Sequence, residues 1–110
     1  MTIITLNAGL LDIMVPVPYV EERLLVLPKI LIETNAEVIA LQEVYRQRHK
    51  DFLITKLQKL YPYIARGSSL ITFSKYPILD CEEKTFIWRG FLISKINIPN
   101  LGLINLCNFH

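Results

Sequence analysis

The chain has 110 residues, 52% of them hydrophobic and 20% charged, with four Gly and six Pro. That is one domain's worth of chain with material for a real core, and it excludes collagen-like, linker-like and disordered proteins. Twelve basic against ten acidic residues give a net charge of +2, too balanced for a protein that binds nucleic acid by charge alone. Mean hydropathy is +0.35, so apolar residues beyond what a small core absorbs are expected to face something else.

The N-terminal stretch is apolar, but it holds no Lys or Arg before Arg23, and Asn7 and Asp12 interrupt it. It therefore lacks the charged region and the clean apolar run of a signal peptide. No stretch approaches the roughly 20 apolar residues of a membrane span, and a cytoplasmic protein is expected. Residues 2–6 are β-branched and apolar and suit a buried strand, which Asn7-Ala8-Gly9 ends with turn chemistry. After a loop containing Pro16 and Pro18, the spacing of Val20, Leu24, Leu27 and Leu31 predicts a helix over residues 20–33. Pro28 removes a backbone donor inside it, so a kink or a break at Leu27 is expected. Residues 37–41 form the second strand and end in Gln42-Glu43. A strand, a helix and a strand at this length make a βαβ unit with parallel strands. Asn7 and Glu43 then lie at the same sheet edge, where open α/β folds bind ligands.

Leu53, Leu57 and Leu60 mark an amphipathic helix over residues 47–60, on whose solvated face Arg46, Arg48, His49, Lys50, Lys56 and Lys59 are expected. Strands follow at residues 63–66, 70–74, 84–88, 91–97 and 103–109. The last two are joined through Pro99-Asn100-Leu101-Gly102, a hairpin connection. Cys81 and Cys107 have no CxxC spacing and are expected to be reduced core or strand residues.

Glu43 ends an otherwise apolar strand, where a carboxylate either caps the following helix or meets a partner or a metal. Asn7 is similarly open, because an Asx-turn explains it without function. Thr5-Leu6-Asn7, then Leu41-Gln42-Glu43-Val44, then Ser74-Lys75-Tyr76-Pro77-Ile78, then the strand ending Asn108-Phe109-His110 stand in the order and spacing of a known family. Together they resemble the endonuclease/exonuclease/phosphatase family, which includes pancreatic-type deoxyribonucleases and neutral sphingomyelinases. Leu-Gln-Glu-Val is the most specific element.

The resemblance implies an α/β fold: the first half of a four-layer α/β/β/α sandwich, with one mixed sheet and helices on one face. It implies a divalent-metal-dependent phosphoesterase that hydrolyses a phosphate ester by metal-assisted attack of water. Glu43 would be the carboxylate ligand of Mg²⁺, with Mn²⁺ as its substitute, and Asn7 would ligate the metal or hold its water. His110 would contact or protonate the phosphate. Nucleic acid, phospholipid and inositol phosphate are all substrates within the family, and the resemblance does not choose among them. Two positions depart from the pattern: Ser69 stands where the family has Gly, and Phe109 replaces a small hydroxyl residue. The family's Asp-x-Asn motif and terminal Asp-His pair, which activate water, lie beyond the part that this sequence matches. The 110 residues are accordingly expected to be one half-domain, inactive alone. The alternative is a non-catalytic module whose open apolar sheet face pairs with a second copy or a partner chain.

Overall fold

A computed structural model of the chain describes residues 1–10, 19–87 and 89–110. The expected loop with Pro16 and Pro18 and the expected strand end at Trp88 lie outside the described residues. The first strand, β1 (Ile3–Leu10), is followed by helix α1 (Val20–Thr34), strand β2 (Val38–Val44) and helix α2 (Gln47–Leu57). Five strands complete the chain: β3 (Tyr63–Arg66), β4 (Leu70–Ser74), β5 (Ile78–Phe86), β6 (Arg89–Ile98) and β7 (Gly102–Phe109).

The strands divide into two sheets: sheet A, ordered β1-β2-β4-β3, and sheet B, ordered β5-β6-β7. Sheet A is mixed, with β1 and β2 parallel as expected of the crossover and the remaining pairs antiparallel. The α/β class and the mixed sheet agree with the sequence expectation, but the expected single sheet is two. The cause lies at the Tyr76-Pro77-Ile78 corner. Pro77 lacks an amide donor, and the register of β5 on β6 shifts between Ile78 and Asp80, which turns the chain out of sheet A.

Three layers result. On one face of sheet A, Val20, Leu24, Leu27 and Leu31 of α1 and Leu53 and Leu57 of α2 pack over Ile39, Leu41, Ile71 and Phe73. On the other face, Val38 meets Ile96 and Ile98, and Ala65 and Leu70 meet Leu92, which docks sheet B. Strands buried on both faces are written as continuous apolar runs, which is why residues 38–41 read so clearly.

Several boundaries differ from the sequence reading. Pro28 does not break α1: the helix is continuous, and Leu24, Leu27 and Leu31 are each no more than 5% exposed. Burial of that stripe outweighs one missing helical hydrogen bond. The helix ends where Asn35 takes a left-handed conformation and its N–H bonds to the Ile32 carbonyl at 3.1 Å. Helix α2 stops at Leu57, whose carbonyl accepts from both Leu60 and Tyr61 in a tight turn. His49 and Lys50 leave the expected solvated face and are buried, the Lys50 ammonium donating to the Ser68 carbonyl at 2.7 Å. Burial pushes the Lys50 pKa down. Cys81 and Cys107 are free strand residues, but both are exposed and outside the core.

Candidate functional site

The parallel pairing of β1 and β2 puts Asn7 opposite Gln42, so Asn7 and Glu43 reach the same sheet edge. Asn7 does not follow the strand, as expected, but sits within it at a bulge, where the register shifts between Asn7 and Leu10. Its side-chain oxygen accepts from the Gly9 N–H at 2.9 Å, which is the anticipated Asx-turn held inside a strand. Gly9 has a φ of 64°, and its carbonyl accepts from the Arg23 guanidinium of α1 at 2.7 Å. The bulge is thereby fixed from the helix side, and it re-aims the end of β1.

Glu43 has a φ of 59°, a left-handed conformation that costs a non-glycine residue energy and is concentrated at functional positions. The next residue, Val44, donates its N–H to the Ser69 carbonyl at 3.0 Å, so the turn of the backbone at Glu43 is held by the β3–β4 connection. Ser69, the first departure from the family pattern, thus holds the site through its backbone.

The third residue arrives from sheet B. His110 follows β7, 43% exposed, and its Nε2 lies 3.4 Å from Asn7 Nδ2 and 3.7 Å from Glu43 Oε1. The three residues singled out from the sequence, Asn7, Glu43 and His110, therefore meet at one point. One imidazole nitrogen faces both an amide donor and a carboxylate. Deprotonated, it accepts from Asn7; protonated, it pairs with Glu43. The Glu43 side chain is 18% exposed, so the cluster is open to solvent at its rim. Phe109, the second departure, stacks on Phe91 with ring centroids 5.7 Å apart and is 61% exposed, so its ring lies on the sheet B surface.

Among the described residues no group of three or more His, Cys, Asp and Glu side chains is gathered to hold a metal. The oxygen donors available at the site are the Glu43 carboxylate and the Asn7 amide. One or two protein oxygens with the remaining positions left to water and phosphate suit Mg²⁺, whereas zinc asks for more nitrogen or sulfur. Two features escaped the sequence reading. Tyr45 has its hydroxyl held protonated to higher pH, by burial first and by the Glu43 charge second, with a hydrogen bond to Ser69 opposing. Behind the three site residues, Gln42 and Asn108 join the two sheets through their side-chain amides at 2.8 Å. Asn108 belongs to the Asn108-Phe109-His110 motif, but nothing in one sequence says that its partner is Gln42.

No protein-family model and no curated protein sequence matches this chain. Solved structures do. A humanized D. rerio TDP2 superposes with a TM-score of 0.80 at 19% identity, over 100% of this chain and 49% of its own. A beta-hairpin deletion mutant of Staphylococcus aureus beta toxin gives 0.75 at 17%, over 96% and 49%. Sphingomyelinase C from Streptomyces griseocarneus gives 0.71 at 17%, over 96% and 46%. The chain thus spans about half the length of the structures it matches. The likeness is one of fold: two helices, a mixed sheet and a second sheet make half of the sandwich seen in endonuclease/exonuclease/phosphatase proteins.

Proposed function

We propose that this chain carries the metal- and phosphate-holding side of a phosphoesterase site. The observation that supports this most is the meeting of Asn7, Glu43 and His110 within 3.7 Å across two sheets, with Glu43 in a strained backbone conformation. Glu43 and Asn7 are the residues that would hold a divalent ion, with Mg²⁺ first and Mn²⁺ as substitute. Bound there, such an ion supplies Lewis-acid polarisation and neutralises charge on phosphoryl oxygens. The Glu43 backbone is tied on both sides, Gln42 pairing with Leu70 in the sheet and Val44 donating to the Ser69 carbonyl. The Asn7 oxygen accepts from the Gly9 N–H and keeps a second lone pair for the ion or its water, while its amide hydrogens face His110 Nε2. Protonated His110 donates from Nε2 to a phosphoryl oxygen.

The substrate proposed is a phosphate ester in general. One solved neighbour, D. rerio TDP2, is described in complex with a single-strand DNA product, and another is a sphingomyelinase, so nucleic acid and phospholipid both stay within the class. Among the described residues no third His, Cys, Asp or Glu joins Glu43 and His110 in a metal-holding group, and turnover by these residues alone is proposed to be negligible. We propose a cytoplasmic location; among the described residues no helix is long and apolar enough to cross a membrane. Binding is the direct test. Titration of a simple phosphodiester, dimethyl phosphate, should show binding that needs Mg²⁺ and is lost in Glu43→Ala. Binding indifferent to both would contradict the proposal.

A second reading, an interaction module, is favoured by one observation. Ile3 and Leu6 on β1 and Leu103 and Phe109 on β7 are exposed, and a groove between the two sheets is lined by Ile3, Thr5, Ala40, Leu106, Cys107 and Phe109. Self-association through these strands predicts a concentration-dependent mass in sedimentation, and a constant monomer would remove it.

A further inference from the structure

The interface between the sheets is largely apolar, yet it contains a satisfied amide network. Gln42 Nε2 donates to Asn108 Oδ1 at 2.8 Å and to Thr5 Oγ1 at 3.0 Å. Asn108 Nδ2 lies 3.1 Å from the Leu41 carbonyl, 3.2 Å from the Ile71 carbonyl and 3.3 Å from Thr72 Oγ1. Asn108 is 2% exposed, Gln42 7% and Thr72 0%. Burying amides costs free energy unless they are paired, and apolar side chains would dock the sheets as well. What apolar contact does not supply is direction, because it tolerates sliding of one sheet over the other.

The network's members are placed in a telling way. Thr5 stands two residues before Asn7 on β1, Gln42 one residue before Glu43 on β2, and Asn108 two residues before His110 on β7. Each of the three strands that delivers a site residue is thus gripped just before it does so. The grip matters most for β7. Among the described residues its backbone pairs only with β6, so no ladder bond fixes its end against sheet A. Asn108 bonds to the backbones of β2 and β4 and to the side chain of Gln42, and it supplies that missing constraint.

We infer that Asn108, through Gln42 and the β2 and β4 carbonyls, is a positioning residue that sets His110 against Asn7 and Glu43. The inference rests on the proposed site. It goes beyond it by assigning the assembly of that site to an inter-sheet amide clamp. The clamp acts through His110 and need not touch a substrate.

Nuclear magnetic resonance on the metal-free chain tests it. In the parent protein the His110 ring should show nuclear Overhauser contacts to the Asn7 side-chain amide. In Asn108→Leu those contacts should be lost while the cross-strand contacts of β6 with β7 and of β1 with β2 persist. Gln42→Met, which removes one arm of the clamp and leaves the Asn108 bonds to the carbonyls, should weaken them. Retention of the His110 to Asn7 contacts in folded Asn108→Leu would overturn the inference. If Asn108→Leu does not fold, parent-strength contacts in folded Gln42→Met would overturn it equally. Added Mn²⁺ separates this from the proposed function. Absence of line broadening at Asn7 in the parent protein counts against the metal site, whereas the metal-free contacts judge the clamp by themselves.

Discussion

Every residue of β4 in sheet A is buried, whereas every residue of β5 after Ile78 is exposed. Sheet A is covered twice, by helices on one face and by sheet B on the other; sheet B is covered once. Only part of the surplus of apolar residues noted in the composition follows from this difference. Phe86, Leu103 and Phe109 lie exposed on sheet B, Ile3 and Leu6 on the open strand β1, and Leu25, Val26 and Ile30 on the outer side of α1. The proposed site lies where the two regimes meet, since Asn7 and Glu43 come from the covered sheet and His110 from the half-covered one.

If coverage decides energetics, truncations of similar size should separate the two sheets sharply. Phe73→Ala, at a position with 0% exposure, should destabilise by about 3–5 kcal/mol in urea unfolding. Phe109→Ser, at 61% exposure and with one stacked neighbour, should cost about 0.5–1 kcal/mol and should reduce any self-association. Equal costs would mean that sheet B is buried in solution and that the comparison is wrong.

A finer probe concerns the anchoring of sheet A's start. The Glu37 carboxylate accepts from the Thr2 N–H at 2.6 Å, and this bond holds its carboxyl below the usual range, with the N-terminus and Lys75 assisting. The unfolded chain therefore binds more protons in acid. The contribution is complete above the unfolded value and fades as pH falls through the folded one. Glu37→Gln should lower the urea midpoint slightly at neutral pH, and the difference should shrink as pH falls below the ordinary carboxylate range.

Much of this was legible because burial on both faces leaves a strong mark. The run of Val38, Ile39, Ala40 and Leu41, the stripe of Leu24, Leu27 and Leu31 and the hairpin at Asn100 and Gly102 all fold as their patterns predict. The three residues of the proposed site were singled out through motif resemblance, and the parallel crossover explains why two of them share an edge. Other features depend on contacts distant in sequence. The continuity of α1 past Pro28 follows from packing on sheet A, and the left-handed Glu43 from the bond between Val44 and Ser69. A half-covered sheet also hides its own pattern, since β5 reads Asp80-Cys81-Glu82-Glu83-Lys84 and only its last residues resemble a strand.

The proposed site holds a divalent ion on Glu43 and Asn7, with His110 on the phosphate side, where the two sheets meet. Calorimetric titration of the chain with Mg²⁺, and with Mn²⁺ in parallel, addresses it most directly. Saturable binding of one ion per chain, abolished in Glu43→Gln with the unfolding free energy from urea unchanged within about 0.5 kcal/mol, is the predicted result. Binding of equal strength in Glu43→Gln, or none in the parent chain, would contradict the account.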